Sequence, residues 1–247
     1  MGLLGSAPAA KALSAPLNID MKVIWIQDRI GAAESLVAKD PAIKTVGDLK
    51  GKKIAVPFAS TAHYSLLTAL DKAGVTDAQV INLAPDAIRG AWNGGQIDAT
   101  YIWEPTLSQL GGTALTTSAQ VAEQGAPTYD LEGARGDFVK NNPGFLKAWT
   151  AAQGWAANLL NTDPNKAAEH IAGQLGVPLD QVLTQIKGYA YFDAKTQGGP
   201  DHLGGQLGAD IRRTAEFLLQ QGQVQGVGPA QHYTDGVYAA AAQGGTK

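Results

Sequence analysis

The sequence predicts an α/β fold, because short apolar strands alternate with amphipathic helices through the first half of the chain. Three segments have the length and composition of buried strands: Lys52–Phe58, Gln79–Leu83 and Ile97–Trp103. The stretch after the first has Tyr64, Leu67 and Leu70 on one helical face, and Pro85–Trp92 reads as a second helix. Strands joined by helices in such close succession are typical of crossover units on a parallel sheet.

The second half of the chain is predicted to be mainly helical and to have no sheet of its own. Five segments have helical patterns, most with proline at the start: Pro143–Leu160, Pro164–Leu175, Pro178–Lys187, Ala209–Gln221 and Pro229–Gln243. Leu131–Phe138 occupies the position of a strand, yet it is polar and contains two glycines. The Arg135-Gly136-Asp137 triplet within it is given little weight as an adhesion motif.

Composition excludes several functional classes. The chain has 247 residues, a net charge of −3 and no run of Lys and Arg, which argues against a nucleic-acid partner. It has no cysteine, so disulfides, thiolate metal sites and cysteine nucleophiles are all excluded. The four histidines do not have the spacing of metal ligands. We therefore predict neither a metal nor a cofactor.

The first sixteen residues bear on localisation. The apolar run in Met1–Pro16 is too short for a signal peptide, and no later stretch is predicted to span a bilayer. We expect an exported protein whose leader is not present in this chain and was removed together with part of the protein.

A predicted strand–helix junction at Ser60, Thr61 and His63 is the most informative candidate site. A helix N-terminus presents unpaired N–H groups and the positive end of the helix dipole, and hydroxyl and imidazole groups add further donors. This combination suits a tetrahedral anion such as a sulfonate. The alternative is that Ser60 or Thr61 only caps the helix, which is the commoner use of such residues.

Other candidates carry weaker signals. Ser6 lies in a small polar turn that opens a helix at Pro8, where an ordinary capped helix is the alternative. Trp103 and Glu104 end a predicted strand, where side chains face the ligand crevice of open α/β sheets. Their alternatives are a core tryptophan and a solvated carboxylate. Asp130, where the chain crosses between lobes, would suit an ammonium ligand if buried, although a surface position is the alternative.

Catalytic motifs are absent from the sequence, but one enzymatic alternative stays open. No nucleophile elbow, zinc-protease motif, Walker A loop or dinucleotide fingerprint is found. Ser60 or Ser65 lies close to His63 in sequence, so an esterase-like hydrolase is kept as the alternative function. A folded remnant that no longer binds a ligand is a third hypothesis.

Several segments resemble a known family. DLKGKKIAV from Asp48 looks like the entry to the second lobe of many periplasmic solute-binding proteins. More specifically, the taurine-binding proteins of ABC importers are similar in three segments: VPFASTAHYSLLTAL from Val56, GAWNGGQIDATYIWEP from Gly90 and GAPTYD from Gly125. The STxHYS pattern is the most particular to the taurine and sulfonate branch.

The resemblance implies a fold and a set of site residues. The fold is a two-lobed type II periplasmic-binding-protein fold with a truncated first lobe and a mainly helical C-terminal part. Lobe 1 would comprise residues 1–35 and 131–247 and lobe 2 residues 36–130, with the ligand held between them. The implied ligand contacts are as follows: Ser6, Ser60, Thr61 and His63 to the sulfonate, Tyr64 and Trp103 as an apolar wall, and Asp130 to the amine. Glu104 replaces a small residue of the family, which shifts the expected ligand preference.

The resemblance also implies partners and a location. The chain would bind taurine or a related sulfonate outside the cytoplasm and deliver it to the membrane permease of an ABC importer. Family members have two further strand–helix units before the Gly5–Pro8 turn. We expect the shortened first lobe to expose apolar surface or a strand edge, through which chains self-associate.

Overall fold

Two β-sheets organise the chain, and they define two structural units. The computed structural model describes residues 1–243. Unit 1 comprises Met1–Arg29, Tyr129–Ile186 and Ala190–Lys247, and unit 2 comprises Ile30–Thr128 and Lys187–Tyr189. The predicted lobe boundaries differ from these by a few residues, so that Glu34 groups with unit 2 and Asp130 with unit 1. Residues 244–247, at the end of the predicted first lobe, lie outside the described residues.

Strands and helices alternate along the first half of the chain, and most elements of the second half are helices. The strands are β1 (Gly2–Gly5), β2 (Met21–Ile30), β3 (Glu34–Ala38), β4 (Lys53–Val56), β5 (Gln79–Asn82), β6 (Ala99–Trp103), β7 (Thr113–Thr117), β8 (Tyr129–Arg135) and β9 (Tyr189–Ala190). The helices are α1 (Ser6–Ala12), α2 (Thr61–Lys72), α3 (Pro85–Asn93), α4 (Thr106–Leu110), α5 (Ser118–Glu123), α6 (Gly136–Asn141), α7 (Pro143–Thr162), α8 (Pro164–Leu175), α9 (Leu179–Ile186), α10 (Ala194–Gln197), α11 (Gln206–Gln220), α12 (Ala230–Asp235) and α13 (Ala240–Gln243), with a 3₁₀ turn at Val46–Leu49.

Unit 2 is built on a five-stranded sheet with the order β5-β4-β6-β3-β7. The predicted parallel pairing of β4 with β5 and β6 is confirmed. The sheet as a whole is mixed, because β3 runs antiparallel to both β6 and β7. Alternate residues of β4 face opposite sides: Ile54 packs in a cluster with Leu66 of α2, and Ala55 in one with Trp92 of α3. Helices therefore cover both faces.

Unit 1 contains a four-stranded sheet with the order β1-β8-β2-β9, in which β8 pairs antiparallel with both β1 and β2. Residues 131–135 of the polar Leu131–Phe138 segment thus lie in a central strand, and its last three residues begin α6. A Cβ atom on Gly133 would lie 3.0 Å from a methyl group of Leu4 and 3.1 Å from the sulfur of Met21. The glycine that makes the segment look unlike a strand is the residue that lets its neighbours pack across it.

The predicted helix over Pro229–Gln243 is wrong, because it is two short helices, α12 and α13. Between them the backbone pairs with β2. The N–H of Val23 donates to the carbonyl of Gly236 at 2.7 Å, and the N–H of Tyr238 donates to the carbonyl of Val23 at 2.8 Å. These bonds to the sheet replace the helical bonds that a continuous helix would make.

Candidate functional site

The first turn of α2 is shaped by the hydroxyl of Ser60, the residue that caps it. This hydroxyl accepts a hydrogen bond from the backbone N–H of His63 at 3.1 Å and donates to the carbonyl of Pro57 at 2.6 Å. Ser60 is therefore a helix cap, as in the structural alternative. The N–H groups of Thr61 and Ala62 lie in the same turn, where a helix offers no internal acceptor. These two N–H groups could therefore donate hydrogen bonds to an anion at this end of the helix.

His63 is buried, with 3% of its surface exposed. Its ring stacks on that of Phe58, with the ring centroids 4.4 Å apart and the planes 7° from parallel. The backbone N–H of Ala59 lies 3.3 Å from Nδ1 and donates to it. Because Nδ1 is the acceptor, this geometry assigns the proton of the neutral ring to Nε2. His63 is thus a fixed donor in the first turn of α2.

The hydroxyl of Thr61 is hydrogen-bonded to another residue of unit 2. The hydroxyl donates to one carboxylate oxygen of Glu34 at 2.7 Å, and the hydroxyl of Ser118 donates to the other at 2.6 Å. Glu34 is 1% exposed. Burial, and then the nearby Glu34 carboxylate, raise the pKa of the Tyr101 phenol, so this ring stays neutral. Thr61 can therefore offer a ligand its backbone N–H, while its hydroxyl proton is held by Glu34.

Glu34 is the residue that the sequence analysis missed. It opens β3, a strand whose five residues are all buried. The available signal was a single acidic side chain at the start of a short strand-like segment, ESLVA. A buried carboxylate needs hydrogen-bond donors, so it indicates a polar network. Its hydroxyl partners lie 27 and 84 positions along the chain, which no local pattern shows.

The predicted apolar wall consists of residues from two elements of unit 2. Tyr64 is buried on α2, with 4% of its surface exposed. Trp103 is half-buried at the end of β6, where it packs against the apolar clusters on both faces of the sheet. Its cross-strand partner is Glu34. Trp103 therefore contributes to the core as well as lying one strand away from the Glu34 network.

The carboxylate of Glu104 interacts with the start of α4. The backbone N–H of Ser108 donates to it at 3.1 Å, and the Ser108 hydroxyl donates to its other oxygen at 2.7 Å. These contacts give Glu104 a capping role in addition to the ligand contact suggested by its position after β6.

Ser6 and Asp130, which are far apart in sequence, are brought together in unit 1. Gly5 and Asp130 are cross-strand partners, and the hydroxyl of the buried Ser6 accepts the N–H of Tyr129 at 3.2 Å. Burial raises the pKa of Asp130 to about 6. Asp130 is thus a half-buried carboxylate, not the freely solvated one of the alternative interpretation. It has the chemistry expected of a group that receives a cation.

The geometry lends no support to the hydrolase alternative. The Ser60 hydroxyl directs its proton to a backbone carbonyl. Ser65 is fully buried and faces the hydroxyl of Ser118 at 3.4 Å. Across residues 1–243, no group of three or more acidic or histidine side chains could hold a metal ion. No helix in that same range is long and apolar enough to cross a bilayer.

The chain is similar to several known proteins. The taurine-binding periplasmic protein of Escherichia coli K12 is 39% identical over 92% of this chain, which spans 72% of that protein. A putative aliphatic sulfonates-binding protein of the same organism is 30% identical over 75% of this chain, and the match covers 59% of that protein. The crystal structure of the periplasmic aliphatic sulphonate binding protein SsuA from E. coli superimposes with a TM-score of 0.70 at 25% identity, covering 92% of this chain and 76% of SsuA.

The fold is therefore that of the type II periplasmic binding proteins, as the sequence resemblance implied. A family model described as NMT1/THI5 like matches residues 26–167, which include β3 to β8 and every predicted site residue except Ser6. The chain belongs to the NMT1/THI5-like family.

Proposed function

We propose that this protein is the substrate-binding component of an ABC importer for taurine or a related small sulfonate. The observation that carries the proposal is the first turn of α2, where the N–H groups of Thr61 and Ala62 occur in the same turn as the buried His63, a combination suited to an anion. This turn lies within a chain that is 39% identical to a taurine-binding protein. The sulfonate group is a permanent anion, so its binding to this seat needs no proton transfer.

Two ends of a zwitterionic ligand would require two kinds of site. The sulfonate would accept hydrogen bonds from the N–H groups of Thr61 and Ala62 and from Nε2 of His63. The Asp130 carboxylate has the chemistry to accept the ammonium group. Tyr64 and Trp103 would contact the carbon chain, and Glu104 would tune the charge preference. A plain alkanesulfonate would use only the first set of contacts.

The proposed partner is the membrane permease of an ABC importer, and the proposed location is extracytoplasmic.

We also propose self-association through unit 1. Strand β1 lies at the edge of its sheet, where Leu3 is 65% exposed and Ile19 is 46% exposed. An open edge beside apolar side chains favours strand pairing between copies. Sedimentation velocity over a range of concentrations tests this. A single monomer peak at every concentration would argue against it.

Isothermal titration with taurine, ethanesulfonate and sulfate tests the ligand. His63→Asn retains an acceptor for the Ala59 N–H but loses the Nε2 donor, so it should weaken both sulfonates alike. Asp130→Asn should weaken taurine alone. Asp77→Asn, which changes an exposed carboxylate of unit 2, serves as the control. Absence of heat with all three ligands, from a protein that unfolds cooperatively, would refute the proposal and favour a non-binding remnant.

A further inference from the structure

A cavity in unit 1 lies beside the strand pair that contains Asp130. It is lined by Trp25, Gln27 and Asp28 of β2, by Gln153 and Leu160 of α7, and by Tyr191, with a volume of about 120 Å³. One water molecule needs only about 10–15 Å³ of such volume. The cavity therefore has room for a chemical group of several heavy atoms.

The lining combines aromatic rings with one carboxylate. Trp25 is 1% exposed, and its ring meets that of Trp149 edge-on, with the centroids 6.4 Å apart. Burial, and then the carboxylate of Asp28, raise the pKa of the Tyr191 phenol, so Tyr191 stays protonated. Aromatic faces and a carboxylate attract a cation by cation–π and charge-assisted contacts. Gln27 and Gln153 add amide groups that can bond its N–H donors.

Asp28 is also the cross-strand partner of Asp130. Side chains of directly opposed residues share a face of the sheet, and their Cβ atoms lie about 4.5–5.5 Å apart. The pairing shifts register between Ile26 and Asp28, so Gln27 is the extra residue of a bulge. Bulges re-aim side chains at functional sites. A ligand cation within reach of both carboxylates would be attracted by each of them.

We propose that this cavity is a subsite for an alkylammonium group, in which Asp28 selects the cation and Trp25 and Tyr191 form the walls. The ligand's identity as an aminosulfonate rests on the proposed function. Asp28 then acts with Asp130 as a second, specificity-determining carboxylate. The size of the cavity also predicts that amines with added methyl or methylene groups are accepted.

The first test compares taurine with ethanesulfonate, which has the same carbon chain and no amine. Asp28→Asn should weaken taurine by about ten-fold or more and change ethanesulfonate by less than about two-fold. The control is Asp180→Asn, an exposed carboxylate of the same unit, which should change neither. Unfolding curves establish that each variant is folded, and Asp28→Glu should recover part of the lost affinity. Equal losses for both ligands, or none, would refute the role of Asp28.

The second test needs no sulfonate. Ethylammonium chloride should change the tryptophan fluorescence of the wild type in a saturable way, and Trp25→Phe and Asp28→Asn should each remove the change. A response that depends on Asp28, together with no sulfonate binding at all, would uphold the subsite and refute the proposed function. Taurine binding that Asp28→Asn leaves intact, with no ethylammonium response, would refute the subsite alone.

Discussion

Removing the hydrogen bond from Thr61 to Glu34 would distinguish a structural role of the threonine hydroxyl from a ligand-binding role. Thr61→Val keeps the branched shape and removes the hydroxyl that donates to the Glu34 carboxylate at 2.7 Å. Both residues are buried, so water cannot replace the lost donor. A hydrogen bond to a charged group contributes about 1.5–3 kcal/mol. We expect the free energy of unfolding to fall by that amount.

Urea denaturation followed by circular dichroism measures this loss, and titration with taurine measures any effect on binding. The affinity of Thr61→Val should stay within about three-fold of wild type, because the backbone N–H that we propose binds the ligand is retained. Thr61→Ser keeps the hydroxyl and should lose much less stability. Ser118→Ala, which removes the other donor to Glu34, should cost a similar amount. A large loss of taurine affinity in Thr61→Val at unchanged stability would show that the hydroxyl binds the ligand.

Three further predictions concern other positions. Burial raises the pKa of Asp130 to about 6 from 3.8, so the native state binds more protons than the unfolded state between these values. This carboxyl therefore makes the ligand-free protein less stable as pH rises from about 4 to 6, by at most about 3 kcal/mol, and Asp130→Asn should remove that slope in urea titrations at several pH values. Glu104→Ala should cost about 1 kcal/mol through the lost Ser108 contacts, and unchanged thermal unfolding would contradict its capping role. Gly133→Ala should lower the free energy of unfolding by about 1–3 kcal/mol, because the added Cβ would crowd Leu4. Thermal unfolding measures this loss. Gly144→Ala is the control, since a Cβ at Gly144 meets open space.

Local pattern was sufficient to predict the elements whose burial follows a simple period. Strands β4, β5 and β6 and helices α2 and α3 were expected within a few residues, because apolar periodicity and flanking glycines marked them. A strand was also expected at the position of β8, but its composition was not, because Gly133 is explained only by Leu4 and Met21 of the neighbouring segments. The break after α12 was missed for the same reason, since hydrogen bonds to Val23 cause it.

The candidate site divides along the same line. The start of α2 at Thr61 and the capping role of Ser60 could be inferred from residue type and position. The partner that holds the Thr61 hydroxyl could not, because Glu34 lies 27 residues earlier. Likewise, the pairing of Asp28 with Asp130 depends on strand register, which a bulge shifts by one residue. The site residues could be predicted where they lie within one turn of a helix. They could not be predicted where the pairing of strands brings them together.

The two units differ in how they are assembled from the chain, and this has a consequence for synthesis. Unit 2 is almost one continuous stretch, whereas unit 1 joins three separated segments, and Val23 bonds to Gly236 and Tyr238. On a ribosome, the residues of unit 2 up to Thr128 emerge while the second half of unit 1 is still untranslated. Strands β1 and β2 must then wait for β8 and for the C-terminal helices, with their apolar faces uncovered. Nascent-chain protection by chaperones therefore matters most for strands β1 and β2, which precede their pairing partners along the chain.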